Sequence, residues 1–388
     1  MVAEVRQATQ KDREAIGAFL EKAFPNQYRY PDRWEWLNLR NPFITDDFAL
    51  PEWIAIVDGH ITGHTGAMLV PVKIGERTVI AGWSIDTFVS SAARGLGIGK
   101  KLQAANQSAH PLFMSLAMTP LNRAIKKKLG AQEGPVVSLL YRTEHILPSP
   151  FSKEIDSALH RHFGLKKHCW ESVAQQTGLL QACCWSMKKL IKARQRRTMV
   201  PPEPPHLTFE PVSHFDEQAD ALWAVIRSSY TFAVERTSLY LNWKYRDQPN
   251  MHHQCFYIRE HGTIQGILII RRGESPEPPI GVICECYLRD PTQAKYAWVI
   301  QRAVTQLTAQ GVGGIWAATA SQELEMVLHE QGFLRLRQEP MILHIADGVY
   351  QDKYPRALIG KGDHDWDQFL NLRQPHLRQL IMLAAGRH

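Results

Sequence analysis

The chain has 388 residues and a formal net charge of +7, and 44% of its residues are hydrophobic. This apolar fraction supports a full globular core, and no apolar run reaches the length that spans a bilayer. The first residues include Glu4, Arg6 and Lys11 and contain no apolar h-region, so we expect no secretory signal. The composition therefore favours a globular protein whose length suits two domains.

Apolar periodicity and turn signals predict the elements of the first 145 residues. A strand at 5–9 leads into an amphipathic helix that carries Ile16 and Leu20, with Thr9 as its N-cap. The dipeptide at 58–59, Asp-Gly, is a strong signal for a hairpin turn. The predicted strands then follow at 53–57, 62–72, 83–89, 112–117 and 136–141. One helix is predicted after the strand at 83–89 and another after the strand at 112–117.

A glycine-rich segment, RGLGIGKK at 94–101, lies between the apolar strand at 83–89 and a helix that begins near Leu102. Alternating glycines let a backbone turn sharply and approach a ligand closely. The first N–H groups of a helix are unpaired and that end carries partial positive charge, so it attracts phosphate. Lys100 and Lys101 add formal charge. The segment therefore predicts a pyrophosphate cradle, with a plain glycine-rich turn as the alternative.

Two common phosphate motifs do not fit this segment. Lys100 stands where a dinucleotide-binding loop has its third glycine, and Lys101 stands where a P-loop has its magnesium-binding Ser or Thr. The pattern R-x-x-G-x-G does fit, as Arg94, Gly97 and Gly99. It resembles the acetyl-CoA motif of the GNAT acyltransferases. In that family backbone N–H groups of the loop hold the CoA pyrophosphate, and the preceding strand splays from its neighbour to receive the pantetheine arm.

The resemblance covers about the first 145 residues, and an ending at 129–131, Leu-Gly-Ala, is similar to that of the family's fourth helix. It implies an α/β (α+β) fold with a mixed, mostly antiparallel twisted sheet flanked by helices. It also implies an acyl-CoA, which we expect to be acetyl-CoA, as the donor substrate. The residues that the resemblance assigns to CoA are Phe88, Val89, Arg94, Gly95, Gly97, Ile98, Gly99, Lys100 and Asn122.

The chain repeats itself at an offset of about 200 residues. Trp36 lies six residues before Pro42, and Trp243 lies six residues before Pro249. Each of these Trp-to-Pro segments is followed by a hairpin, then an apolar strand, and later a helix end that contains glycine. Internal similarity at this spacing indicates two tandem domains rather than a solenoid. We expect an N-terminal CoA-binding GNAT domain over 1–147, a basic helical connector and Pro-rich linker over 148–205, a degenerate GNAT-like domain over 206–350, and a tail with a helix over 351–388.

The second copy lacks the cradle. Residues 289–295 read RDPTQAK, which has no glycine and places Asp290 where phosphate would lie. A carboxylate disfavours an anion at that place. We therefore expect one active site, in the N-terminal domain, and expect the second domain to supply acceptor-binding surface, packing or both. A second CoA site on an unrecognised loop is the alternative.

The connector is strongly basic. Residues 151–200 contain ten Lys or Arg and three Asp or Glu, a net charge of +7. Its basic cluster at 188–197 lies beside apolar residues at helical spacing. Such a helix can bind an anionic membrane surface or an acidic carrier protein. The spacing favours the alternative, in which the apolar stripe packs on a neighbouring domain.

Cysteine and histidine usage indicates a cytoplasmic protein without a metal. The six cysteines form no C-x-x-C motif, which is typical of reduced thiols. His60 and His64, like the pair at 252–253, lack a second pair at zinc spacing. The expected location is the cytoplasm, with peripheral binding at the inner membrane face if the basic cluster contacts lipid.

The base and the oxyanion site are expected on the strand before the cradle. Amide formation from a thioester needs a neutral amine, an oxyanion site and a proton for the leaving thiolate. Asp86 is the only acid in the strand at 83–89, so it is the candidate base, with a structural hydrogen-bonding role as the alternative. The resemblance implies that a backbone N–H near Phe88 or Val89 polarises the thioester carbonyl.

The general acid is a second open assignment. Many family members have a tyrosine four residues before the helix-ending glycine, and this chain has Lys126 four residues before Gly130. A lysine can protonate a thiolate only if its pKa is lowered, and the alternative is that Lys126 lies on a solvated helix face. Tyr141 is a second candidate.

Three functional classes remain open. The first is an acyl-CoA-dependent N-acyltransferase that acts on a primary amine of a small molecule or of an amino or nucleotide sugar. The tandem Trp-x5-Pro segments are similar to GNAT-like proteins of bacterial polysaccharide or envelope pathways. The second is a Fem-type aminoacyltransferase fed by aminoacyl-tRNA, for which the basic connector would suit RNA phosphates. The third is a non-catalytic acyl-CoA-binding protein that docks at a membrane or carrier. The intact CoA loop favours the first, and no DNA partner is expected.

Overall fold

The computed structural model describes residues 3–24, 32–44, 50–144, 206–274, 278–346 and 354–365. The basic cluster at 188–197 and the Pro-rich linker lie outside these residues, so what was expected of them stays a prediction. The same holds for the three boundaries between the four predicted segments. Within the described residues, no helix is long and apolar enough to cross a membrane.

Strands and helices alternate through the two halves of the described chain. The strands are β1 (Glu4–Gln7), β2 (Glu52–Val57), β3 (His60–Ile74), β4 (Arg77–Val89), β5 (Leu112–Ser115), β6 (Gln132–Thr143), β7 (Leu207–Pro211), β8 (Phe232–Val234), β9 (His253–Glu260), β10 (Thr263–Arg272), β11 (Ile280–Leu288), β12 (Gly314–Thr319), β13 (Leu334–Ile345) and β14 (Ala357–Leu358). The helices are α1 (Arg13–Ala23), α2 (Asp32–Asn38), α3 (Ile98–Ser108), α4 (Pro120–Lys128), α5 (Glu217–Ile226), α6 (Ser238–Tyr245), α7 (Gln293–Ala309) and α8 (Gln322–Glu330).

Local sequence explains where several of these elements begin and turn. Asp58 and Gly59 both have positive φ, at 50° and 77°, as a tight turn between β2 and β3 requires. Helix α4 begins with Thr119 as N-cap, whose hydroxyl accepts from the N–H of Asn122, and with Pro120 in its first turn. Hydroxyl caps of the same kind begin α6 and α8.

All the strands belong to one sheet. Its order is β1-β2-β3-β4-β5-β13-β6-β12-β11-β10-β9-β7, with β8 paired to β3 and to β14 outside this path. The six strands β1 to β6 of the first half correspond in order to β7, β9, β10, β11, β12 and β13 of the second half. With this correspondence, the strand order is the same when it is followed from either edge of the sheet. The two halves are therefore related by a pseudo-two-fold axis between β13 and β6. The predicted fold class is confirmed, with one difference: the two domains share a sheet instead of having one each.

Strand exchange joins the halves. β13 lies antiparallel between β5 and β6, with Ile342 opposite Ser115 and Leu334 opposite Tyr141. β6 in turn pairs antiparallel with β12, with Thr319 opposite Ser138. Each half thus contributes one strand, β6 or β13, to the sheet of its partner. Unpaired strand edges are costly to leave exposed, so the exchange satisfies at the centre of the molecule the edges that two separate sheets would present.

The two repeat tryptophans meet between the halves. Trp36 of α2 and Trp243 of α6 stack with ring centroids 4.7 Å apart and planes 14° apart. The indole N–H of Trp36 donates to the carbonyl oxygen of Trp243 at 2.8 Å, and that of Trp243 donates to the carbonyl oxygen of Trp36 at 3.3 Å. Both rings are buried in the largest hydrophobic cluster.

This reciprocal pair should couple the stabilities of the halves. Replacing either tryptophan with phenylalanine keeps an aromatic ring but leaves a buried carbonyl without its donor, which costs about 1–3 kcal/mol. We expect W36F and W243F each to lower the free energy of unfolding by that amount. In the double variant the losses should be non-additive by about 0.5–3 kcal/mol, as for residues in direct contact. Urea unfolding of the full chain measures this cycle, and strict additivity would show that the pair does not link the halves.

Candidate active site

The predicted strand–turn–helix junction is present. β4 ends at Val89, and α3 begins at Ile98 with Gly97 as its N-cap at φ 72°. A glycine N-cap supplies no side chain to the first N–H groups of the helix, and no side-chain cap is found there. Arg94 and Lys100 are exposed beside this end. Donors, helix dipole and cations thus converge on one surface, which fits a diphosphate.

A polar network holds α3 against the sheet. The Asn106 amide donates to the Thr65 hydroxyl at 3.1 Å and to the Gly66 carbonyl at 3.0 Å. Gln103 donates to the Thr87 hydroxyl at 3.2 Å, and the two threonine hydroxyls are 2.8 Å apart. Because these bonds tie α3 to both β3 and β4, the helix N-terminus has a fixed position relative to the end of β4.

β4 and β5 separate beside the cradle. They pair in parallel at three positions, the last being Trp83 opposite Met114, and no backbone pairing joins them beyond it. β4 continues to Val89, whereas β5 ends at Ser115. The splayed strand that the GNAT resemblance implied is therefore present, and among the described residues the gap begins at Ser84.

The equivalent gap in the second half is filled. β11 and β12 pair at the three matching positions, ending with Val282 opposite Trp316. Beyond that pair the N–H of Ala320 donates to the carbonyl of Ile359 at 3.1 Å, and the N–H of Gly362 donates to the carbonyl of Cys284 at 3.0 Å. Residues 359–362 thus bond to both separated strands and bridge the gap between them.

The helix end in the second half is also closed to an anion. α7 begins at Gln293 with Thr292 as its N-cap, and the Thr292 hydroxyl accepts from the N–H of Lys295 at 3.2 Å. Thr292 occupies the place of Gly97, so a side chain of the protein takes the donor that the cradle leaves available. Asp290 is exposed nearby. These contacts support the expectation of a single CoA site.

Asp86, the candidate base, lies at a bulge in β4 and is tied to an arginine. Its φ is 50°. His64 and Gly66 of β3 are two residues apart, but their partners on β4, Phe88 and Ile85, are three residues apart, so β4 carries an extra residue at this bulge. The Asp86 carboxylate accepts from the Arg33 guanidinium at 2.6 Å, with both side chains buried. This carboxylate is engaged in a buried ion pair, as the structural alternative expects.

The second half has a comparable ion pair without a cradle. Glu285 lies three residues after the last β11–β12 pair, as Asp86 does after the last β4–β5 pair. Its carboxylate lies 3.3 Å from the buried guanidinium of Arg236 and accepts from the Tyr245 hydroxyl at 2.7 Å. Burial raises the pKa of Glu285 to about 7, against the attraction of Arg236. An arginine–carboxylate pair at this place in both halves indicates a structural role.

Lys126, the candidate acid, is buried and not on a solvated face. Its side chain is 2% exposed, its Nζ lies 3.4 Å from the Ser84 hydroxyl and 4.5 Å from the centre of the Phe113 ring. Burial lowers the pKa of Lys126 to about 7, because no carboxylate among the described residues compensates the lost hydration. The ammonium therefore lies beside the start of the gap, with a pKa suited to proton transfer near neutral pH.

The symmetry-related positions show that packing does not demand a lysine. Lys126 and Leu328 both lie seven residues after the N-caps of α4 and α8. Ser84, which Lys126 contacts, corresponds to Ile283. In the second half both positions are apolar members of one hydrophobic cluster. A buried lysine beside a hydroxyl, where the second half has two apolar residues, points to a functional role.

The remaining assigned residues lie on these same elements. The Phe88 ring packs against Phe19 and Phe24, at 5.8 and 5.7 Å between centroids. Asn122 is half-buried in the first turn of α4. Their contacts with CoA, like those of Val89, Gly95, Ile98 and Gly99, stay predictions. Tyr141 packs against Trp316 of β12, at 4.9 Å between centroids, and burial raises its pKa strongly, which disfavours it as the acid.

Sequence reasoning missed a second buried pair beside Asp86. The Glu52 carboxylate accepts from the indole of Trp34 at 3.0 Å and lies 3.8 Å from Nε2 of His64. Nδ1 of His64 contacts the Asp86 carbonyl oxygen at 2.9 Å. Burial lowers the pKa of His64, but Glu52 outweighs it and the net shift is upward. Only the register of β2 on β3 brings these residues together, so no local signal marks them.

Metal-binding clusters are absent from the part of the chain that the structure describes: no group of three or more His, Cys, Asp or Glu could hold an ion there. In the same residues Cys255, Cys284 and Cys286 are buried free thiols.

The fold is that of the GNAT proteins. The chain is similar to a GCN5-related N-acetyltransferase from Anabaena variabilis, with a TM-score of 0.53 and 12% identity, covering 89% of this chain and 73% of that one. It is also similar to a probable N-acyltransferase of unknown function from Enterococcus faecalis (TM-score 0.55, 12% identity, 89% and 72% covered).

A third similar structure contains a bound acyl-CoA. It is Saccharomyces cerevisiae N-myristoyltransferase with myristoyl-CoA (TM-score 0.53, 12% identity, 91% of this chain and 80% of that one covered). No protein-family model and no curated protein matches the sequence. The fold expected from the GNAT resemblance is thus confirmed by structural similarity.

A glutamate in the cradle should block CoA without harming the fold. A Cβ at Gly99 would meet only Val89 Cγ2, at 3.8 Å, and the position does not need a positive φ. We expect G99E to abolish CoA binding in calorimetry while the melting temperature stays unchanged. G97E should also abolish binding, but a side chain at that φ costs about 1–3 kcal/mol of stability.

The symmetry of the chain supplies the matched control. Ala294 is the second residue of α7, as Gly99 is of α3. A294E should leave CoA affinity unchanged. Unaltered CoA affinity in G99E and G97E would remove the site from this loop.

Proposed function

We propose that this protein is an acyl-CoA-dependent N-acyltransferase with one active site, in its N-terminal half. One observation carries the proposal: the uncapped start of α3, the separation of β4 from β5 and the buried Lys126 occur together in one half. In the second half the helix is capped, the gap is filled and the lysine is a leucine.

The residues of the first half supply distinct parts of the reaction. The N-terminus of α3, with Arg94 and Lys100, binds the diphosphate of the donor. The gap that begins at Ser84 admits the thioester arm, and the backbone near Phe88 orients its carbonyl. Lys126 gives a proton to the departing thiolate as the acceptor amine forms the amide. Because Lys126 lies on α4 and contacts β4, it stands at the place where the two strands part.

The donor and acceptor are assigned by class. We take acetyl-CoA as the donor and a primary amine of a small molecule, including an amino or nucleotide sugar, as the acceptor. A Fem-type aminoacyltransferase would use the basic connector to bind tRNA, but it would have no need of the uncapped cradle that the first half retains. A non-catalytic acyl-CoA sensor would have no need of a buried lysine.

Two assays separate these functions. We expect calorimetry to detect binding of acetyl-CoA at one site per chain, and a thiol-release assay with a panel of amines to detect turnover. Binding without turnover for any amine would favour the sensor. No CoA binding, together with transfer from aminoacyl-tRNA, would favour the Fem-type enzyme.

Loss of Lys126 should slow the chemical step. We expect K126M to lower kcat by about 10²-fold, the range for a general acid, without weakening CoA binding. Because the acid must be protonated and the pKa of Lys126 is about 7, the wild-type rate should fall as the pH rises through 7. K127M is the control, since Lys127 is exposed on the same helix and should retain full activity. An unchanged kcat in K126M would exclude the acid role.

Lys126 should also leave a signature in stability. Its pKa falls from 10.5 to about 7 on folding, so between these values the unfolded chain binds a proton that the native chain does not. Stability should therefore rise with pH across this window, by at most about 1.4 kcal/mol per pH unit for one group. Denaturant unfolding at several pH values should show this slope in wild type and K127M and a smaller slope in K126M. Identical slopes would show that Lys126 is not buried as a neutral amine.

A further inference from the structure

The segment 354–365, here called the C-terminal segment, is anchored in the second half. Besides its bonds to β11 and β12, it forms β14, which pairs with β8. The Arg236 guanidinium donates to the Asp363 carboxylate at 2.6 Å, with both side chains fully buried. The N–H of Gly360 donates to the same carboxylate at 2.7 Å. This anchor fixes the direction of the two residues that follow Asp363.

Those two residues, His364 and Asp365, reach the first half. The His364 ring meets the Trp83 ring of β4 edge to face, with centroids 5.1 Å apart. The Lys244 ammonium donates to the His364 carbonyl at 3.2 Å. Nδ1 of His364 contacts a carboxylate oxygen of Asp365. Burial raises the pKa of Asp365, but His364, Arg33 and Lys244 outweigh it and the pKa is lowered, so the carboxylate is charged.

His364 and Lys126 flank the start of the gap from opposite faces of the sheet. Trp83 is the last β4 residue paired with β5, and Ser84 is the first beyond it. Successive strand residues point to opposite faces. Lys126 contacts Ser84 and His364 contacts Trp83. A thioester in the gap would therefore have a proton donor on the α3–α4 face and an imidazole on the face that α2 covers.

From this placement we infer that His364, oriented by Asp365, is the general base that takes the proton from the acceptor amine. This inference rests on the proposed acyl transfer. In this assignment Asp365 orients the ring through Nδ1, and Nε2 is the atom that takes the proton; both ring nitrogens are buried. Asp86 cannot serve equally well because Arg33 holds it.

The proton balance of the step is complete. The nitrogen of a neutral amine forms a bond to the thioester carbonyl carbon, and its proton passes to Nε2 of His364. The carbon–sulfur bond breaks, and the thiolate takes a proton from Nζ of Lys126. The products are the amide and free CoA thiol, and proton exchange with solvent restores both side chains.

The test uses full-length H364Q, D365N and H364G, with acetyl-CoA and an amine that the wild type acylates. We expect H364Q to lose about 10²-fold in kcat with an unchanged Kd for CoA, and D365N to lose less. Added imidazole should restore turnover to H364G, which a purely structural role would not allow. H253Q is the control: His253 is buried on β9 of the second half and should retain full activity.

The outcomes separate this inference from the proposed function. A wild type that neither binds nor turns over acetyl-CoA overturns the proposed function. A wild type that turns over, with H364Q equally active, overturns the role of His364 alone. If H364Q and H364G bind CoA normally but show no imidazole rescue, His364 is a packing residue and not the base. If those variants do not fold, wild-type kcat in D365N overturns the dyad.

Discussion

The exchange of β6 and β13 at the centre of the sheet is the constraint on which the rest of the structure depends. β13 lies between β5 of the first half and β6, and β6 lies between β12 of the second half and β13. Neither half can therefore complete its own sheet. The stacked tryptophans Trp36 and Trp243 lie between the two halves and reinforce the same arrangement. A change in one half is thus transmitted to the position of the other.

The same symmetry makes the differences between the halves informative. In both halves the fourth strand, β4 or β11, pairs with its neighbour at three positions and then separates from it. Both halves also have a bulge in that strand and a buried arginine–carboxylate pair, so these features belong to the fold. In the first half α3 has no side-chain cap, and Lys126 is buried beside the point where β4 and β5 separate. Because the second half shows what the fold needs for packing, what the first half adds is best explained by a ligand and its chemistry.

Local patterns in the sequence were enough to predict the strand–turn–helix junction, the repeat and the fold class. The glycine–lysine run and the strand before it specify a junction that depends only on neighbouring residues, and Trp36 and Trp243 marked the repeat because each lies six residues before a proline. The burial of Lys126 could not be predicted, since KKK at 126–128 is typical of a solvated helix face. Strand exchange was also missed, because two exchanged strands have the same apolar pattern as two strands that stay in their own sheets.

The role of Asp86 shows a further limit of such predictions. Its position on the strand before the cradle suggested a base, but its charge is taken by Arg33, fifty-three residues earlier in the chain. Sequence spacing records which acids lie near the cradle, but not which cations pair with them. The same limit hid Glu52 and His64, whose contact depends on strand register.

The capped helix and the filled gap of the second half occur together. Two strands that separate expose unpaired backbone, and buried backbone groups must find partners. Residues 359–362 provide them from within the chain. Once held there by Arg236, the C-terminal segment leaves the second half in the direction of Trp83 and the first gap. The second half thus holds a residue against β4 of the first half, and this contact is the one on which the proposed role of His364 rests.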